Sequence, residues 1–199
     1  HFWLLGHHEK DKPALAEWLH AAGLWVVALL GSREVGWSID QVVGGKRVWP
    51  SIAWAVVPAL LLGAVTNQGI AARWPVKRFA RGYVVLGGVP IALFLAAWTI
   101  HANVLNDGNP HPLPFVPLLN PLDIAIGLVL VLLARWLAAL PSHGLADWWS
   151  RSRGAVYAVF GGAVFVWVNA TLLRTLHHWA DIPFALQPML ASRTVQASF

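Results

Sequence analysis

In the stretch LLRTLHHWADIPF, residues 172–184, an arginine, two adjacent histidines and an aspartate close a long apolar run. Arg174, His177, His178 and Asp181 stand at i, i+3, i+4 and i+7, which is one face of a helix. A guanidinium offers carboxylates and phosphates a fixed fork of donors, and imidazole moves protons near neutral pH. Together they suit recognition of an anionic group with a proton carrier beside it. The same residues also suit a purely structural task. Cations are favoured at a helix C-terminus by about 0.3–1 kcal/mol when exposed, and arginine snorkels to headgroups. Asp181 then offers Arg174 or either histidine a partner. A third chemistry, metal binding, would take His177 and Asp181 with His101 or His111. No HExxH motif supports it, and adjacent His177 and His178 point about 100° apart on a helix. No metal and no cofactor are expected.

Which chemistry applies depends on the solvent around that helix. Hydrophobic residues make up 57% of the 199-residue chain and charged residues 12%, against about a quarter charged in soluble domains. Mean hydropathy is +0.58. Such a deficit puts lipid around much of the surface, and the 13 tryptophans suit a protein that crosses two membrane interfaces. The pI near 10.2 could suggest nucleic acid. However, the basic residues sit in short loops between apolar runs, which is a topology signal, and no nucleic-acid partner is expected. Cysteine is absent, which excludes disulfides and thiolate metal sites.

Five complete spans can be drawn, at about 13–31, 50–70, 83–104, 121–140 and 154–178, with the start of a sixth before Phe199. The expected fold is therefore all-α, a polytopic transmembrane helical bundle in one membrane-embedded region. The first span carries Glu17 and His20 near its start, read as a pair at the interface. Pro58 should kink the second, and Gly87, Gly88 and Pro90 should make the third irregular. The fourth starts cleanly, with Asn120 as cap, Pro121 at the first helical position and Asp123 in the first turn. Rows of small residues spaced by four are expected to pack helices closely: Ala55, Ala59 and Gly63; Gly88, Ala92 and Ala96; Gly154, Ala158 and Gly162. Trp18, Trp49, Trp74, Trp98, Trp136, Trp148, Trp149 and Trp179 read as interfacial anchors. The chain opens at His1 without methionine and stops a few residues into another apolar stretch. It therefore reads as an excerpt of a longer multi-pass protein, with the bilayer and that protein's further helices as its partners.

Sidedness follows from lysine and arginine. Residues 71–82 carry Arg73, Lys77, Arg78 and Arg81, and residues 141–153 carry Arg151 and Arg153, whereas 105–120 and 179–190 carry neither type. The positive-inside rule places the first two segments in the cytoplasm and the last two outside. At the outer level His101 and Asn103 end the third span, His111 lies in the proline-rich connector, and Asp123 begins the fourth. Asn169, with Thr171 two residues on, lies a turn or two deeper than Arg174, His177, His178 and Asp181 in the fifth. Without Thr171, these nine residues form the candidate outer-face polar cluster; no catalytic residue is assigned among them.

Two segments carry a family resemblance. PLPFVPLLNPLDIA, residues 112–125, and LLRTLHHWADIPF followed by MLASRTVQAS, within residues 172–198, resemble a bacterial family of very large multi-pass membrane proteins, domain of unknown function 2339. LARWL and the Asn-Ala-Thr before LLRTLHHW fit the same pattern, and the resemblance covers most of residues 83–199. It implies a bacterial inner-membrane protein and brings no established activity. Two functions remain in view. One is a non-enzymatic, transport-like or scaffold module of the cell envelope. The other is an envelope-modifying transferase acting on a lipid-linked or anionic substrate at the outer face. The mid-span stretches LLLGAV, IALFLAAW, GLVLVLL and VFGGAVFVWV are almost wholly apolar, which disfavours an ion path through them.

Overall fold

The computed structural model describes residues 13–43, 48–180 and 182–184, and among these the only regular secondary structure is helical. Five helices are long and apolar enough to cross a membrane: α1 (Pro13–Val43), α2 (Val48–Val65), α4 (Gly88–Leu105), α5 (Pro121–Ala139) and α6 (Ala146–Ala180). A single-turn helix, α3 (Gln68–Ala71), follows α2 and is capped by the Asn67 side chain, which accepts from the Gly69 and Ile70 amides.

Two helices run beyond the spans drawn from hydropathy. The segment after residue 31, expected to be a loop, continues α1 as helix to Val43. Arg33, Glu34 and Asp40 are all exposed there and decorate the helix surface. No proline lies between Pro13 and Val43 to stop it. At about 1.5 Å per residue its 31 residues reach roughly 46 Å, well past the ~30 Å hydrocarbon core. Helix α6 likewise starts at Ala146, eight residues earlier than the expected span.

The third span is irregular where its glycines and proline predict. Gly82–Gly87 form a π-helical turn that leads directly into α4. Pro90 has no amide hydrogen and its ring crowds the carbonyl four residues back, at Leu86, so the widened turn relieves that clash. The loosened carbonyls find tryptophan donors: Trp136 Nε1 donates to Val84 O at 2.8 Å and Trp25 Nε1 to Gly87 O at 3.2 Å. Trp98 Nε1 similarly donates to Ser51 O at 2.8 Å. Trp98 and Trp136 are buried and tie helices together, which corrects their reading as interfacial anchors.

Helix α2 is central. Its Ala55 and Ala59 are buried, and a Cβ on Gly63 would lie 3.0 Å from Leu132 of α5, so this small-residue row does bring helices close. On α4, Gly88 and Ala92 are buried in the same way. The third row fails over its first three members: Gly154, Ala158 and Gly162 are exposed, and a Cβ on Gly154 or Gly162 would meet nothing within 4 Å, while Ala170, further along the same row, is buried. Only Ala170, Thr171 and Arg174 of α6 are buried, because this helix stands on the rim of the bundle. Val159 and Phe165 on it are 74% and 69% exposed, a state that suits hydrocarbon and not water.

Gly88 is also the tightest glycine among the described residues. A Cβ there would sit 2.5 Å from Trp136 Nε1, and a buried indole cannot swing aside. Gly88→Ala is therefore expected to displace Trp136, break its bond to Val84 and lower stability by about 2–4 kcal/mol. Thermal unfolding in detergent checks this, and an unchanged melting temperature would show that the indole moves freely.

Candidate functional site

The connector between α4 and α5 builds one side of the site. Its NDGN sequence folds by side chains capping their own backbone: Asn106 Oδ1 accepts from Gly108 N at 3.0 Å, Asp107 Oδ1 from Asn109 N at 3.0 Å, and Asn109 Oδ1 from His111 N at 3.1 Å. Gly108 takes a positive φ of 73° that a side chain would resist. Its carbonyl accepts from Asn120 Nδ2 at 2.5 Å, while Asn120 Oδ1 caps α5 by accepting from Leu122 N at 2.8 Å. Asn120 thus fastens the connector to the start of α5.

Arg174 enters this end from α6 and is 0% exposed. Its Nη1 donates to Asp123 Oδ1 at 2.6 Å, and its Nη2 to Ala102 O at 2.9 Å and Asn103 Oδ1 at 3.2 Å. Nε donates to Asn106 O at 3.1 Å. Four of the five guanidinium hydrogens are therefore engaged. The placement is electrostatically favourable from both sides. Ala102 lies in the last turn of α4, where carbonyls lack helical partners and the dipole is negative. Asp123 lies in the first turn of α5, where the dipole is positive.

Asp123 is also 0% exposed. Thr171 Oγ1 lies 3.0 Å from Asp123 Oδ1 and 3.0 Å from Trp167 O, and shares its single hydrogen between them. Asp123 Oδ2 is buried and has no hydrogen-bond partner among the described residues, so Arg174 is the cation this carboxylate depends on.

The two histidines sit outside this centre. A carbonyl can only accept, so His178 Nε2 carries the hydrogen in its 3.0 Å bond to Asp107 O, and its ring stacks on Phe115 with centroids 4.1 Å apart. His177 Nδ1 likewise donates to Ile182 O at 2.6 Å, and its Nε2 is 3.9 Å from Asp107 Oδ2.

Of the nine residues singled out by sequence, Asn103, Asp123 and Arg174 are in direct contact, and His177 and His178 flank them through Asp107. His101 is exposed and lines a separate groove of about 450 Å³ with Pro50, Trp54 and Trp98. His111 is exposed, and its carbonyl accepts from Trp49 Nε1 at 3.0 Å. Asn169 donates to Phe165 O of its own helix at 2.7 Å. Asp181 lies outside the described residues. The metal alternative built on His177 and Asp181 with His101 or His111 needs that aspartate and so falls outside the described residues, among which no three His, Asp or Glu groups are placed to hold an ion. Sequence reasoning missed Asn106, Asp107 and Gly108, for which the NDGN run was the signal; Thr171 was singled out beside Asn169, and it does reach Asp123.

A model of the DUF2339 family, described as predicted membrane proteins, matches residues 1–199. The chain belongs to the DUF2339 family. Taken with the five apolar helices, this makes it an integral membrane protein. No curated protein and no solved structure matches the chain. Among the described residues of this DUF2339 chain, the Asp123–Arg174 pair is the charged contact with both side chains fully buried.

Proposed function

We propose that this chain is a non-enzymatic scaffold module of the bacterial inner membrane, whose polar cluster fastens helices at the outer face. The observation that carries this reading is the enclosure of Arg174, whose fork spends four of its five hydrogens on Asp123, Asn103 and two carbonyls. An anionic substrate at the same place would have to displace those bonds from a fully enclosed side chain. A transport path finds little support either. Away from the cluster, the buried polar residues among those described are Ser32 and Thr99, and each donates to a backbone carbonyl, of Trp54 and Leu95. Sidedness in this proposal follows the arginine and lysine asymmetry, with 71–82 and 141–153 cytoplasmic and 105–120 and 179–190 outside. The module's partners are the bilayer and further helices of a longer chain.

The histidines test this against the transferase alternative, because they are the proton carriers that such chemistry would use. His177→Gln with His178→Gln is expected to complement a strain lacking the protein as fully as the parent does, with equal membrane levels. Loss of complementation at normal membrane levels would overturn the scaffold reading and favour proton-transfer chemistry at the cluster.

A further inference from the structure

Between α4, α5 and the first half of α6 runs a cleft of about 450 Å³, walled by Ala92 and Ala96, Leu133, and Ala155 and Ala163. It extends along α6 from Trp148 to Ala163, which at about 1.5 Å per residue is roughly 22 Å. Counting all the unfilled space, about 1160 Å³ with the open side included, the mean cross-section is at most about 50 Å², using that rise. A helix about 10 Å across needs roughly 80 Å² and does not fit. A single hydrocarbon chain, about 4–5 Å thick at ordinary carbon contact distances, does. The cleft runs parallel to the helices, as an acyl chain does, and spans about one leaflet.

The mouth of the cleft has matching polarity. Trp148 and Ser152 line it at the start of α6, and exposed Arg151 and Arg153 lie on either side of that face. Arg151 Nε donates to the Asp147 carbonyl at 3.1 Å, which leaves its terminal nitrogens unengaged by that bond. Asp147 is exposed nearby and offsets one of the two charges. We infer that this cleft is a binding site for an anionic phospholipid, with one acyl chain between α4 and α6 and the headgroup phosphate at Arg151 and Arg153. The inference does not depend on the function proposed above.

Native mass spectrometry of the purified protein tests it, titrated with phosphatidylglycerol and with phosphatidylcholine of the same chains. A single saturable phosphatidylglycerol adduct is expected, bound about tenfold more tightly than phosphatidylcholine. Arg151→Gln with Arg153→Gln should remove the preference while keeping one adduct, and Ala96→Phe with Ala155→Phe should remove the adduct of both lipids. An unchanged preference in the first variant, or an unchanged adduct in the second, would overturn the site. Should the cleft-filling variant fail to fold, phosphatidylglycerol bearing a diazirine on its acyl chain decides the matter on the parent protein. Cross-links at Val156 and Phe160 support the site, and cross-links confined to outward residues such as Phe165 and Val168 refute it.

Discussion

Arg174→Ala is expected to unfasten α6 from the bundle and to lower stability by about 3–5 kcal/mol, the range for removing one partner of a buried ion pair. Asp123 would be left inside the protein with no cation, and the carbonyls of Ala102 and Asn106 would lose their donor. Each such unpaired group is costly where no water can replace the bond. Because the chain has no cysteine, a single Ala170→Cys reporter, placed where alanine is 5% exposed, can follow the detachment. In detergent this cysteine should resist maleimide in the parent protein and react in the Arg174→Ala protein. Asp123→Leu combined with Arg174→Met should recover part of the loss, since no bare charge remains, but not all of it, since the two carbonyls stay unpaired. A single-variant loss below about 1 kcal/mol would show that α6 is held by other contacts.

Gly108→Ala is expected to damage the same end without touching a charge. Its φ of 73° costs a residue with a side chain about 1–2 kcal/mol. The added Cβ would also lie 2.9 Å from Arg174 Cδ and 2.9 Å from Asn120 Nδ2, both fully buried, at a further ~1–3 kcal/mol. Gly144 supplies the control: its φ is 87°, yet a Cβ there meets nothing within 4 Å. Gly144→Ala should therefore show the backbone cost alone. Equal losses in thermal unfolding of the two variants would mean that the space around Gly108 is not restricting.

The fold class was legible in the sequence because hydropathy over about 20 residues answers directly to bilayer thickness. The start of α5 was legible too, since Asn120, Pro121 and Asp123 are local capping signals that need no tertiary partner. Helix rotation was not. In lipid every face of a spanning helix is apolar, so periodicity does not reveal which side meets a neighbour. His101 and Asn103 illustrate this. They lie two residues apart, roughly 200° around the helix, and only Asn103 faces Arg174. The same blindness explains the small-residue rows, of which those on α2 and α4 face helices and that on α6 faces outward. Trp136 was misread for a related reason. Its partner is a carbonyl set loose by the π-helical turn, and composition gives no sign of that.

The order in which the cluster's parts are made has a consequence for biogenesis. Asp123 precedes Arg174 by 51 residues, which at 5–20 residues per second is roughly 3–10 s of translation. During that interval the nascent chain holds a carboxylate without its counter-ion at the head of α5. A polypeptide arrested before residue 174 keeps that flaw for good.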